Sequence, residues 1–380
     1  MEKKGLNRDI EILRAVAILM VLVQHFPSLY FWSDHSFFSH ITSKVITFWS
    51  GVDVFLCISG FVVSGSLMRV LDNAKDNGGS SSLVIKQFFI KRIFRLLPTT
   101  WFWIALLLVM TFTYNISGAF GKINWNIYQA LSVLTYNYNF LSSFMTNNNL
   151  PTTFGPFWSL NLEEQFYFIF PFFILFTNKK YRIFYLLTFI AMQFFIHRQG
   201  NVTLNIRLDA ISWGVALSIL HKNGILKKAE PIILCSRLMS ATFTVVCLAY
   251  LMLSIPLLSE SRFMVGLLAA FSALLVYAAS YDKGYIYCPK HLKRIMLWFG
   301  SRSFGIYVIH MPVIYIIQES TIRILMSQGI GPSGSLLLCS VMSISAIVLI
   351  AILVEVNYRF LEVPLRDHGR NIARRMNAAS

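Results

Sequence analysis

Long apolar runs alternate with short polar connections along this chain. The runs fall near residues 10–31, 45–70, 96–115, 157–177, 181–197, 206–221, 231–256, 262–281, 295–318 and 335–356. Most are about 17–25 residues long, the length an α-helix needs to cross a bilayer. The pattern predicts an all-α polytopic membrane protein with about ten transmembrane helices. The fifth and sixth runs are short and carry polar residues, and the third has Pro98 near its start. Two connections are long. Residues 71–91 contain DNAKDNGGSSS, which reads as a flexible polar tract. Residues 116–156 are rich in Asn, Tyr and Trp, with a partly apolar stretch over 125–141 expected to lie along the membrane interface. The expected organisation is a transmembrane domain over 1–358 and a short basic cytoplasmic tail over 359–380, with no fused soluble domain. No internal repeat is evident.

Charge gives the runs a direction. Only 13% of the 380 residues are charged, far below a soluble protein, yet the formal net charge is +16. With a cytoplasmic N-terminus, 25 of the 33 basic residues fall in inner segments and 6 in outer ones, leaving Arg14 and Arg302 inside runs. That asymmetry satisfies the positive-inside rule and predicts that both termini are cytoplasmic. The basic surplus then needs no nucleic acid to explain it. The first run follows basic residues without a small-residue cleavage site, so it reads as an uncleaved span. The five cysteines form no CxxC pair and have no His spacing suited to a metal, so no metal is expected.

Several ionisable residues lie inside the runs, where each costs at least about 2.5–3.5 kcal/mol near the bilayer centre unless it faces protein or water. Glu11, Arg14 and His25 share one stripe of the first helix, within about 60° of one another. They make a site, or else an ion pair with an interfacial histidine. Glu163 and Glu164 enter the fourth run from outside. Adjacent residues point about 100° apart, so one of the two at most faces a site squarely. Glu163 shares its stripe with Ser159, Tyr167 and Pro171. Arg92 and Arg95, three residues apart, can present two guanidinium forks to a phosphate, although topology alone also demands basic residues there. Arg207 and Asp209 open the sixth run and read most simply as an interfacial anchor. Arg302 sits shallow on the inner side of the ninth run, and His310 near its middle.

The order of these motifs resembles acyltransferase family 3, the polytopic inner-membrane O-acyltransferases of bacteria. The resemblance rests on Glu11, Arg14, Ala15, Ala17 and His25, and on GVDVFLCISGF at 51–61. It continues with Arg92, Arg95 and Pro98, with WSLNLEEQFY around Glu163, and with Gly300, Ser303, Phe304, Tyr307, His310 and Pro312. Glu11 stands where Asp is usual and Leu56 where Phe is. The resemblance implies transfer of an acyl group, usually acetyl, from cytoplasmic acetyl-CoA to a glycan hydroxyl at the outer face of the inner membrane, such as one on lipopolysaccharide O-antigen. On that reading His25 is a general base or a transient acyl carrier, and Glu163 orients it. Glu11 pairs with Arg14 on the donor side, where Arg14 can polarise the thioester carbonyl. Arg92, Arg95, His310 and Arg302 hold the acyl-CoA. Trp158, Tyr167, Arg207 and Asp209 meet the glycan or lipid-linked acceptor, together with the aromatic and Asn-rich outer segment. The competing expectation is a transporter or flippase for a lipid-linked glycan that uses the same intramembrane groups.

Overall fold

The computed structural model describes residues 7–30, 45–196, 198, 201–258, 261–332 and 335–378. These residues form helices and no strand. Six of the helical segments are long and apolar enough to cross a membrane: Arg8–Tyr30, Gly51–Asp76, Ser81–Thr113, Arg237–Ser254, Ser303–Ser327 and the continuous Leu336–Met376. The other four apolar runs also fold as helices, Phe157–Phe176, Arg182–Phe195, Asp209–Lys222 and Met264–Ala279, of which the last three have only 14, 14 and 16 residues. We label the helices α1 (Arg8–His25), α2 (Gly51–Asp76), α3 (Ser81–Thr113), α4 (Ile123–Leu134), α5 (Tyr138–Asn147), α6 (Phe157–Phe176), α7 (Arg182–Phe195), α8 (Asp209–Lys222), α9 (Arg237–Leu258), α10 (Met264–Ala279), α11 (Lys293–Ser301), α12 (Ser303–Ser327), α13 (Leu336–Asn357) and α14 (Val363–Ala378). They divide into two compact units, one drawn from residues 7–24, 45–72 and 165–303, the other from 25–30, 73–164 and 304–378.

The first unit is organised by the parallel pair α2 and α8. Asp53 near the start of α2 accepts both forks of Arg207, at 3.0 Å each, just before α8 begins. At the other end Asp72 accepts from Lys222 at 2.7 Å and from both Nη atoms of Arg182 at 2.9 Å. Between these ion pairs the backbones approach so closely that a methyl on Gly60 would collide with the Ile211 carbonyl, and one on Gly214 with the Cys57 carbonyl. Small residues allow this contact where no hydrophobic drive between helices exists in lipid. Ten of the 14 residues of α8 are buried, which explains how a segment too short and polar to read as a clear span holds a central place in its unit. Asp282 accepts from the backbone N–H of Arg8, and Asp9 from those of Gly284 and Tyr285, so the loop after α10 ties down the start of α1.

In the second unit α3 departs from expectation. The tract over 71–91 is not a flexible loop: α2 continues to Asp76, the chain turns over residues 77–80, and α3 starts at Ser81. Gly78 takes the left-handed conformation (φ +70°) that ends α2, and the Ser80 hydroxyl accepts from the Leu83 N–H as an N-cap. Pro98 therefore lies inside a 33-residue helix rather than near its start, and Arg92 and Arg95 stand on the helix body. α14 packs along α3, with Gly369 closely set against Phe94. α13 buries a narrow stripe of Met342, Ala346, Ile350 and Val354 and leaves Ile344, Ile347, Val348 and Ile352 exposed, as suits a helix facing lipid.

Substituting Gly60→Ala or Gly214→Ala forces backbone apart from backbone and is expected to cost about 1–3 kcal/mol. Thermal unfolding of the purified protein in detergent measures this. Gly65→Ala, where a methyl meets only the Ser218 Oγ at 2.9 Å, is expected to lower the midpoint less. Equal midpoints for all three variants would remove the close crossing as a determinant of stability.

Candidate active site

The second unit gathers a set of polar side chains from the end of α1, the start of α6 and the first turns of α12. On α12, Tyr307 and His310 lie one turn apart and share a face. The Nδ1 of His310 is 2.8 Å from the Tyr307 carbonyl and 3.2 Å from that of Ile306. Carbonyls only accept, so Nδ1 carries the proton and Nε2 the lone pair. The His310 side chain is wholly buried, and its Nε2 has no hydrogen-bond partner among the described residues. Its neighbour is His25, the last residue of α1: the ring centroids are 5.0 Å apart, with the planes tilted by 58°.

Tyr307 joins this pair to α6. Its hydroxyl lies 2.7 Å from the Pro156 carbonyl and 2.6 Å from the Ser159 Oγ. One phenolic proton serves the carbonyl, so Ser159 donates to the phenol oxygen. The Tyr307 ring in turn lies 5.9 Å from that of His310. Glu163 follows Ser159 by one turn and about 40° of rotation, which keeps it on the stripe that Ser159 turns toward α12. It is half-buried. Glu164 points elsewhere: it is buried, accepts from Asn161 Nδ2 at 2.9 Å through Oε2, and leaves Oε1 without a partner among the described residues.

The segment over 116–156 turns much of its polar surface inward. Asn161 accepts from the Tyr138 N–H at 2.9 Å and donates to the Val133 carbonyl at 3.2 Å. Gln129 Oε1 accepts from both the Tyr138 hydroxyl (3.0 Å) and the Phe154 N–H (3.1 Å). Asn126 donates to Thr111 Oγ1 and to the Phe120 carbonyl. Asn126, Gln129, Tyr138 and Asn139 are buried, while Ile127, Tyr128, Leu131, Phe140 and Phe144 are exposed. The stretch expected along the interface is thus two helices, α4 and α5: the amides of Asn126, Gln129 and Asn139 are buried and those of Asn124, Asn137, Asn147, Asn148 and Asn149 are exposed.

The remaining expected site residues have these surroundings. Glu11 and Arg14 pair with each other at 2.5 Å within the first unit. The Arg302 guanidinium lies 5.1 Å over the Trp298 ring and donates to Ser301. Arg92 lies 5.5 Å over Phe88 on α3. Arg95 is half-buried and pairs with no carboxylate among the described residues. Tyr167 is buried, with its hydroxyl 3.0 Å from that of Ser59, and Trp158 is half-buried at the start of α6. The Arg207–Asp209 anchor is a correction. The two do not pair with one another and neither is at the surface. Arg207 is buried against Asp53 and stacked 3.9 Å from the Trp49 ring centroid, and Asp209 is buried against Arg198 at 2.7 Å. A guanidinium whose fork is filled by a buried carboxylate is held in place by that pairing. Nothing in the linear sequence marks these partners: Asp53 comes from α2, and Arg198 from the connection between α7 and α8.

Residues 7–354 match the acyltransferase domain of the family-3 acyltransferases. Among curated relatives, the Listeria monocytogenes peptidoglycan O-acetyltransferase OatA is 23% identical over 95% of this chain and 56% of its own length. A Bacillus subtilis protein provisionally named a peptidoglycan O-acetyltransferase is 24% identical over 96% of this chain and 56% of its own. A Staphylococcus aureus protein provisionally named an O-acetyltransferase is 24% identical over 94% and 57%. The chain thus spans little more than half the length of these relatives. No solved structure matches it.

Tyr307→Phe removes the hydroxyl that bridges α12 to the Pro156 carbonyl and Ser159. It is expected to destabilise the purified protein by about 1–3 kcal/mol through the buried groups left unpaired. An unchanged thermal midpoint would mean that this bridge does not hold α6 to α12.

Proposed function

This chain belongs to acyltransferase family 3, and from that membership we propose that it is an O-acetyltransferase of the bacterial cytoplasmic (inner) membrane. It moves an acetyl group from cytoplasmic acetyl-CoA to a hydroxyl of a cell-envelope glycan at the outer face. The observation that carries this reading is the juxtaposition of His25 with the cluster on α12 and α6, because acyl transfer to a hydroxyl needs a base held where acceptor and donor meet. A buried cluster with a fixed tautomer is suited to that work. Membership of an acyltransferase family weighs against a transporter that makes and breaks no bond.

The acceptor is a glycan of the cell wall. Two of the relatives are named for peptidoglycan and none of the three for lipopolysaccharide, so the O-antigen expectation has no support among them. On the donor side, Arg95 has no carboxylate partner among the described residues, which fits a group that meets a phosphate of coenzyme A. α14, packed along α3 at Phe94, brings Arg370, Arg374 and Arg375 to the same helix pair.

In the transfer, His25 takes the proton of the acceptor hydroxyl, whose oxygen attacks the thioester carbonyl. The carbon–sulfur bond breaks, and the departing thiolate takes the proton back from His25. Glu163, on the stripe of Ser159, is the carboxylate that faces this region. The Glu11–Arg14 pair belongs to the donor side of α1, roughly 16 Å along the helix from His25.

Membranes carrying the protein, supplied with labelled acetyl-CoA and wall-glycan fragments, are expected to transfer label in proportion to acceptor. His25→Ala is expected to lower the rate by about 10²–10⁴-fold, the usual worth of a positioned acid–base group. Arg92→Ala and Arg95→Ala are expected to raise the donor KM about tenfold each, with kcat near that of the wild type. Full transfer by His25→Ala would reject the base, and an unchanged donor KM in both arginine variants would reject the phosphate contact. Wall glycan from cells lacking the protein should lose an O-acetyl signal in NMR spectra that expression restores.

A further inference from the structure

We propose that His25 and His310 act as one imidazole pair. The Nε2 lone pair of His310 receives the N–H of His25, turns the other nitrogen of that ring to the acceptor hydroxyl, and holds the charge that His25 acquires. This rests on the reading of His25 as the base and names the residue that orients it. The expectation from the sequence alone was a carboxylate in that role, with His310 on the donor.

Three observations carry the assignment. The proton of His310 is fixed on Nδ1 by the carbonyls of Tyr307 and Ile306, so its other nitrogen can only accept. That nitrogen is buried and has no partner among the described residues, which is costly unless something meets it during the reaction. The His25 ring stands 5.0 Å away, a separation from which a modest ring rotation brings facing nitrogens within hydrogen-bonding reach. Tyr307 braces the arrangement: its hydroxyl is tied to Pro156 and Ser159, and its ring lies against His310.

The titratable groups on the elements around the pair are Tyr307 on α12 and Glu163 on the Ser159 stripe of α6, while Glu164 is turned to Asn161. Two imidazolium ions this close in apolar surroundings repel strongly, so the pair takes one charge at a time. Protons then balance within the pair. The hydroxyl O–H breaks as an N–H forms on His25. That imidazolium is held by His310 Nε2 while the new C–O bond forms and the C–S bond breaks. The thiolate leaves with the proton from His25, and His310 ends as it began, protonated on Nδ1. His310 is thus a positioning residue that itself exchanges no proton.

The test uses purified full-length protein in nanodiscs, labelled acetyl-CoA, and an N-acetylglucosamine oligomer as acceptor. His310→Leu is expected to lower kcat at least about 10²-fold and to leave both KM values within about twofold. Because the acceptor of the imidazolium N–H is lost, the acid limb of the kcat/KM profile is expected to move. His310→Gln, whose amide oxygen can accept the same N–H, is expected to recover about tenfold of the loss. A raised donor KM with kcat retained would make His310 a donor contact and overturn the pair. Equal losses in both variants with an unmoved acid limb would reduce His310 to packing and overturn it too. A wild-type protein that transfers no label, or a His25→Ala variant that keeps transferring it, overturns the base reading and the pair with it. An active wild type and inactive His25→Ala alongside an unaffected His310→Leu overturn the pair alone.

Discussion

A charge inside an apolar helix must be met by a partner, and that constraint shapes both units of this protein. In the first, Asp53 with Arg207, Asp72 with Arg182 and Lys222, and Asp209 with Arg198 account for most of the ionisable groups buried along α2, α7 and α8. In the second, Glu319 is wholly buried and is met by the backbone N–H groups of Ile116 and Ser117 and by Arg323. Such pairs are poor evidence of stability in themselves, since desolvation offsets most of the attraction, but breaking one leaves an uncompensated charge. They specify which helices meet. Among the buried ionisable groups of the described residues, Glu164, His310 and Glu362 each keep a side-chain atom without a hydrogen-bond partner.

This accounting also explains what could be read from the chain and what could not. The apolar runs located the long helices because a bilayer-spanning helix announces itself by length and composition alone. The stripes on single helices were equally readable: Glu11 beside Arg14, and Glu163 in line with Ser159, follow from the helical repeat. Partners from different helices were not. Arg207 and Asp209 stand two apart in sequence and look like a pair, yet each found a carboxylate or guanidinium elsewhere, because burial rewards geometry rather than proximity along the chain. The tract DNAKDNGGSSS misled for a related reason. Its polar composition suggested disorder, whereas Gly78 and Ser80 provide a helix stop and a helix start within four residues.

The outer segment shows the same economy in uncharged groups. Gln129, Asn126 and Asn161 each bridge two or more partners, so backbone N–H and carbonyl groups of irregular chain are met by side-chain amides rather than by water. That permits α4 and α5 to expose apolar residues outward and polar ones inward, the reverse of a soluble helical pair. Ser159 and Tyr307 extend the pattern with hydroxyls, and the Tyr307 ring lies beside that of His310.

The positions of the two histidines, 25 and 310, also set an order of events in the life of the molecule. A membrane protein is synthesised from its N-terminus, so α1 is made long before α12 leaves the ribosome. Until then His25 has no imidazole beside it, so this contact between rings forms late however well the first helices have inserted.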